Sequence, residues 1–277
     1  MDLHTVEVVD IATRRDDVWP LGPHDAVLAG GTWLFSEPNT QLRRLVDITR
    51  LDWQPWVIGR DDLEIAATCT IEQVAALSDE LPTLCPQWRA APLLRQCCEA
   101  LLMSFKIWHT ATVGGNVCLS FPAGAIISLL SALDGSVTVW RADGSQYRVA
   151  ITDFVTGDST NVLSAGDLLR SVHLPARALR AQTQMRKLAP SALGRSGIVV
   201  IGRRDTIADG GRFWLSITAA TVRPYVFVFD TAPTDHQLEV EHARIPDHAW
   251  TRDAHGDPDW RRGVTLQLAR DVCAALR

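Results

Sequence analysis

Short apolar runs bounded by glycine, proline and polar residues fill the first quarter of the chain, and their length and punctuation predict strands rather than helices. Strands are expected over 5–9, over 25–29 where the run meets Gly30 and Gly31, and over 44–48, 56–58 and 63–67. Helical spacing takes over at Thr70, an N-cap residue type followed by Ile71, Val74, Ala75 and Leu77 on one face. Further helices are predicted from Ala91 or Pro92 to Phe105, with Pro92 tolerated in a first turn, and over 125–133. Strands at 136–141 and 147–151 are joined through Asp143-Gly144, a hairpin signal. A strand at 168–174 is closed by Pro175, and longer strands follow at 182–188, 198–203, 212–220 and 225–229. The last pattern is helical, 264–276, with Val264, Leu268, Val272, Ala275 and Leu276 on one face. The change in strand length puts a domain boundary at 175–180, and the whole reads as α+β.

At 277 residues the chain exceeds one usual core of about 100 to 200 residues, so two domains are expected, with room to enclose a cofactor. The formal net charge of -5 argues against a basic surface for nucleic acid. No stretch approaches the roughly 18 consecutive apolar residues that cross a bilayer. The start, Met1-Asp2-Leu3-His4, has neither a basic leader nor an apolar run, which makes a cytoplasmic location the expectation. Cys69, Cys85, Cys97, Cys98, Cys118 and Cys273 lack the C-x2-C spacing of zinc or iron–sulfur ligands, so they are read as buried thiols and no metal site is expected. Of the adjacent Cys97 and Cys98, one is expected in the core and one beside it.

The candidate chemistry lies in two segments that carry a glycine pair after an apolar stretch. These are Leu28-Ala29-Gly30-Gly31-Thr32-Trp33-Leu34 and Ala111-Thr112-Val113-Gly114-Gly115-Asn116. Glycine allows positive φ and lets backbone N–H groups converge on an anion, while Thr32, Thr112 and Asn116 offer side-chain donors. Two such turns facing each other would clamp a pyrophosphate, although a lone Gly-Gly is more often a plain turn. Neither segment is a Walker A loop or a G-x-G-x-x-G fingerprint. No residue stands out as a catalytic base or nucleophile, and His109 beside the second pair reads as a structural histidine.

In order and spacing, AGGTWL at 29–34, LVDITRL at 45–51, ATVGGNV at 111–117, FPAGA at 121–125, Asp153-Phe154 and AGDLLRSVHLP at 165–175 resemble the FAD-binding subunit of the xanthine dehydrogenase and carbon monoxide dehydrogenase family. The resemblance implies an FAD-binding domain of the vanillyl-alcohol-oxidase (PCMH) type over 1–175, in subdomains of about 1–52 and 53–175. A C-terminal domain with a three-stranded sheet and helices would cover 178–277. It further implies that 28–34 and 112–116 hold the pyrophosphate and ribityl chain, that Leu169 and Lys187 lie at the cofactor, and that Arg195-Ser196 borders the flavin ring. The chain departs from the family at Trp33, often Asp or Ser, at Trp108-His109, often Arg-Asn, and at Ala125, often Asp. An aromatic partner for adenine is replaced by Leu102, with Phe105 and Trp108 as substitutes.

The function implied by the resemblance is an oxidoreductase subunit, active only in a heterotrimer. It would carry FAD and pass electrons from a [2Fe-2S] small subunit, which serves a molybdenum-cofactor large subunit, to an external acceptor. An alternative is a scaffold subunit of the same complex that has lost FAD, suggested by Trp33 and Ala125. A self-contained flavin oxidoreductase is a third reading, disfavoured because about a hundred C-terminal residues leave little room for a substrate domain. Ten tryptophans suit either core packing or a subunit interface.

Overall fold

A computed structural model describes residues 3–100, 103–191 and 194–277. Its first three strands, β1 (Val8–Ile11), β2 (Asp25–Leu28) and β3 (Arg44–Asp47), form a parallel sheet in the order β1-β3-β2. Apolar β3 takes the centre and buries Leu45 and Val46, while Arg44 reaches Asp10 on one flank (2.5 Å) and Asp25 on the other (3.1 Å). The first strand starts later than its apolar pattern suggests. Pairing with β3 begins where the N–H groups of Glu7 and Val8 reach the Arg43 carbonyl.

The middle of the chain contains β4 (Trp56–Ile58), β5 (Asp62–Ala66), α1 (Ile71–Leu84), α2 (Pro92–Ala100), α3 (Phe105–Thr110), α4 (Val113–Cys118) and α5 (Ala125–Ala132). It continues through β6 (Ser136–Trp140), β7 (Gln146–Ala150), α6 (Ile151–Phe154), β8 (Val155–Gly157), β9 (Thr160–Asn161) and β10 (Leu168–Pro175). An antiparallel sheet, β4-β5-β10-β6-β7, carries the main apolar core under the helices, and β8 and β9 form a separate ribbon. Thr70 starts α1 through a reciprocal box with Gln73, in which the Gln73 N–H donates to Thr70 Oγ1 (3.2 Å) and the Thr70 N–H to Gln73 Oε1 (2.8 Å). The helix predicted to run to Phe105 stops at Ala100. After Leu101 and Leu102, which lie outside the described residues, Ser104 caps the separate helix α3. Cys97 and Cys98 are both fully buried, contrary to the expectation of one flanking residue, because α2 packs against α1 as well as α5. Every cysteine is a free thiol, and burial pushes Cys69, Cys98 and Cys118 up to about 12.

After α7 (Ala176–Leu179), the strands β11 (Gln182–Leu188), β12 (Ile198–Arg204), β13 (Phe213–Thr218) and β14 (Tyr225–Phe229) pair antiparallel in chain order. This sheet therefore has four strands, as the hydrophobic pattern predicts, and not the three implied by the resemblance. The extra edge strand β14 pairs from Phe213↔Phe229 to Ile217↔Tyr225. Helices α8 (Asp235–His242) and α9 (Pro258–Ala275) complete this part. Helix α9 begins before the predicted 264, because Asp257 accepts the Trp260 N–H (3.0 Å) and Pro258 occupies the first turn.

The four-stranded sheet has α9 against β11 and β12, and α5 against β12, β13 and β14. Polar contacts fix the α5 seam: Ser128 Oγ meets Thr218 Oγ1 (2.7 Å) and the Ala219 N–H donates to the Pro122 carbonyl (2.8 Å). Buried Arg203 donates to the Ala132 carbonyl (3.1 Å) while paired with Asp205 (2.8 Å). A smaller core joins the parallel sheet to the start of β10 through Val46, Ile48, Leu51 and Leu168. Among the described residues, no helix is long and apolar enough to cross a membrane.

Candidate functional site

The first glycine segment leaves the end of β2 as an irregular turn. Gly31 has φ of +67°, and the Phe35 N–H closes the turn on the Gly31 carbonyl (2.9 Å). A Cβ on Gly31 would lie 2.5 Å from the Phe35 ring, so glycine is required by both conformation and space. Among the described residues, no acceptor engages the N–H groups of Ala29, Gly30, Gly31, Thr32, Trp33 or Leu34. Six consecutive donors are thus left without a protein acceptor in the segment that sequence singles out for an anion.

The second glycine pair differs from its prediction. Gly114 and Gly115 lie inside α4, not in a turn. The Val113 N–H donates to the Cys69 carbonyl (2.8 Å), that of Gly114 to Ala67 (2.8 Å), that of Gly115 to Thr112 Oγ1 (3.2 Å) and that of Asn116 to the Thr112 carbonyl (2.9 Å). These donors are occupied by folding and cannot converge on a phosphate. Gly114 instead allows close packing, since a Cβ there would meet Ala67 Cβ at 2.7 Å. Asn116 is used as well: its Oδ1 accepts the Ile126 N–H (2.9 Å) and caps the start of α5, where Gly124 has no side chain to do so.

The two segments nevertheless meet. A Cβ on Gly30 would lie 1.8 Å from the Thr110 carbonyl oxygen, so the open N–H row is backed directly by the backbone that leads into α4. Neither 28–34 nor 110–116 contains an ionisable side chain, so these two segments offer an anion neutral donors, backbone N–H groups and hydroxyls, rather than a charge. Trp33 projects outward, 44% exposed, with its ring edge-on to Phe121 (centroids 4.7 Å apart). The sequence gives little warning of these supporting parts: Phe35 behind Gly31, the Thr110 carbonyl against Gly30, and Asn116 as a cap.

Of the remaining candidates, Leu169 lies in the main core, 2% exposed. The Lys187 ammonium donates to the Glu99 carbonyl (3.1 Å), and Ser196 Oγ to that of Ala100 (2.8 Å), so β11 and its following loop clasp the last turn of α2. Arg195 pairs with Asp253 (3.2 Å). His109 is held by Glu72 in an exposed pair, consistent with a structural histidine. His173 sits in a Ser/His/Asp-like arrangement, touching Asp62 (3.0 Å), Ser171 (3.1 Å) and Thr138 (2.8 Å). Burial lowers the His173 pKa and Ser171 is 1% exposed, so the group cross-links strands and is closed to a substrate. Among the described residues, no cluster of three or more His, Cys, Asp or Glu side chains is placed to hold a metal ion.

Comparison with known proteins adds a family and a fold. The profile of the family described as the FAD binding domain in molybdopterin dehydrogenase matches residues 7–177. The nicotinate dehydrogenase FAD-subunit of Eubacterium barkeri is 24% identical over 221 residues, which cover 75% of this chain and 70% of that protein. The reconstituted CO dehydrogenase from Oligotropha carboxidovorans superposes with a TM-score of 0.80 at 18% identity, covering 98% of each chain. Quinoline 2-oxidoreductase from Pseudomonas putida 86 gives 0.76 at 15% identity, over 98% of this chain and 96% of that one. At such identities the two structures establish the shared fold.

Proposed function

This chain belongs to the family of FAD binding domains in molybdopterin dehydrogenases, and from that premise we propose that it is the electron-transfer subunit of a heteromeric molybdenum hydroxylase or dehydrogenase. It is an oxidoreductase subunit and its cofactor is FAD. The observation that carries the reading is the row of six unengaged N–H groups over 29–34, braced from behind by the Thr110 carbonyl. Such a row suits the dinucleotide's diphosphate, where no Lys or Arg belongs to either motif.

When bound, the flavin would supply the redox chemistry that links the [2Fe-2S] clusters of a small partner, which serves a molybdenum-cofactor large subunit, to an external acceptor. The residues of this chain bind, orient and insulate. In this reading the 28–34 turn holds the diphosphate by neutral dipoles, and the 111–116 segment fixes that turn in place through Gly30. Leu169, buried in the main core, serves the packing of this domain rather than the cofactor surface. Lys187 brings a positive charge to the end of α2, where its ammonium donates to the Glu99 carbonyl. Residues 1–175 form the FAD-binding domain, in a vanillyl-alcohol-oxidase-type arrangement of about 1–52 and 53–175, and 178–277 form a supporting domain.

The competing scaffold reading draws on Ala125, where the family often has an acidic residue. There Asn116 Oδ1 caps α5 by accepting the Ile126 N–H (2.9 Å), a role within the fold that leaves the two readings to be separated by cofactor content. The test is to purify the chain together with the polypeptides encoded beside it and measure flavin, iron and molybdenum per complex. FAD at about one per chain, with iron and molybdenum present in the same purified complex, supports the proposal. A colourless chain that still assembles with metal-bearing partners would establish the scaffold instead.

A further inference from the structure

We propose that Trp33 is a ring-stacking residue of the cofactor site, its indole forming with Phe121 an aromatic wall for one of the two flat ring systems of the dinucleotide. The inference rests on the FAD reading above. Its first support is the way the turn sorts its side chains. Phe35 packs back over Gly31, filling the space a Cβ would take, while Trp33 remains outside at 44% exposure.

The second support is that the exposed indole has a fixed neighbour. Trp33 meets Phe121, in the loop between α4 and α5, with centroids 4.7 Å apart and planes at 71°, an edge-on contact that braces the indole while it stays 44% exposed. The third is continuity with the anion site. The N–H of Trp33 belongs to the open donor row, so a diphosphate seated on that row leaves a ring-bearing arm beside the indole. Exposed aromatics beside a phosphate-binding backbone are the combination that holds nucleotides by stacking plus charge.

Full-length chain and its Trp33→Ala and Trp33→Phe variants would be titrated with FAD, FMN and ADP by equilibrium dialysis, with far-UV circular dichroism as the check on folding. Trp33→Ala is expected to weaken FAD binding about tenfold or more, and Trp33→Phe to recover to within about threefold of the parent. An equal loss for ADP assigns the adenine to Trp33, whereas a loss confined to FAD and FMN assigns the isoalloxazine. Parental FAD affinity at one per chain in Trp33→Ala would overturn the proposal and leave the FAD reading intact. If that variant binds FAD normally but no longer assembles with its partners, the indole belongs to a protein interface and the proposal is also overturned. A parent chain that takes up no FAD refutes both.

Discussion

Gly30→Ala and Gly115→Ala make the same chemical change in two motifs that look alike in sequence, yet they should act in opposite directions. The new Cβ at position 30 would lie 1.8 Å from the Thr110 carbonyl oxygen, and ordinary contact begins at 3.4 Å, so 3.4 − 1.8 = 1.6 Å of separation is required. The obstacle is backbone, which cannot rotate away like a side chain. Overpacking of this kind costs about 1–3 kcal/mol, and it moves the N–H row off its support. At position 115 the nearest atom is Thr112 Oγ1 at 3.2 Å, a contact relieved by a few tenths of an ångström, and the residue is exposed on α4. Alanine is favoured over glycine in a helix by about 1 kcal/mol, so this variant should be neutral or slightly stabilised. Thermal melting and FAD content of the purified proteins test the pair. Gly30→Ala should melt lower by at least about 2–4 °C and lose most of its FAD, while Gly115→Ala keeps both. Equal loss in the two variants, or a Gly30→Ala protein with full FAD and an unchanged melt, would refute the distinction drawn between the motifs.

Two further predictions concern stability. Burial, followed by the nearby Arg262 and Arg270 charges, lowers His242 from 6.5 to about 4, and it is 7% exposed with its ring against Trp250. Below pH 6.5 the unfolded chain takes a proton that the folded chain refuses, so stability is full above that pH and falls as pH drops toward 4. The limit is (6.5 − 4) × 1.36, about 3 kcal/mol. Urea unfolding at pH 7 and pH 5 should show about 2 kcal/mol of this loss in the parent and a flatter profile in His242→Phe; identical profiles would contradict it. Asn116→Ala removes the acceptor for the Ile126 N–H and should cost about 1 kcal/mol, whereas Asn116→Asp retains the cap. Equal denaturation midpoints for Asn116→Ala and the parent would show that α5 has no need of this bond.

The regular elements were legible because their signals are local. Thr70 with Gln73, the apolar strand from Tyr225 to Phe229 and the β10 strand closed by Pro175 each announce themselves within a few residues. The site was half legible. Gly30 and Gly31 stand out after β2, but the same dipeptide at Gly114-Gly115 is helical, and what distinguishes them is a long-range contact. Gly114 fits against Ala67, and Thr112 caps its own helix by accepting the Gly115 N–H, neither of which a Gly-Gly pattern specifies. The contact between Gly30 and Thr110 likewise joins residues that are far apart in sequence. Helix α3 was missed because its residues Phe105, Lys106, Ile107 and Trp108 show little amphipathic spacing over so short a span, and its Ser104 cap was absorbed into the preceding helical pattern. Cys97 and Cys98 both became core because α2 is covered on two sides, which one-face periodicity does not anticipate.

The central claim is that the 28–34 turn of this chain holds FAD. The most direct measurement is the absorption spectrum of the full-length protein purified with its partners, with the released cofactor identified and counted after denaturation, for the parent beside Gly30→Ala. The account predicts an oxidised-flavin spectrum and FAD at about one per chain in the parent, as for a dedicated cofactor subunit, and a large loss in the variant. Absence of flavin from an assembled parent complex, or full FAD retention when Gly30 is replaced, would contradict it.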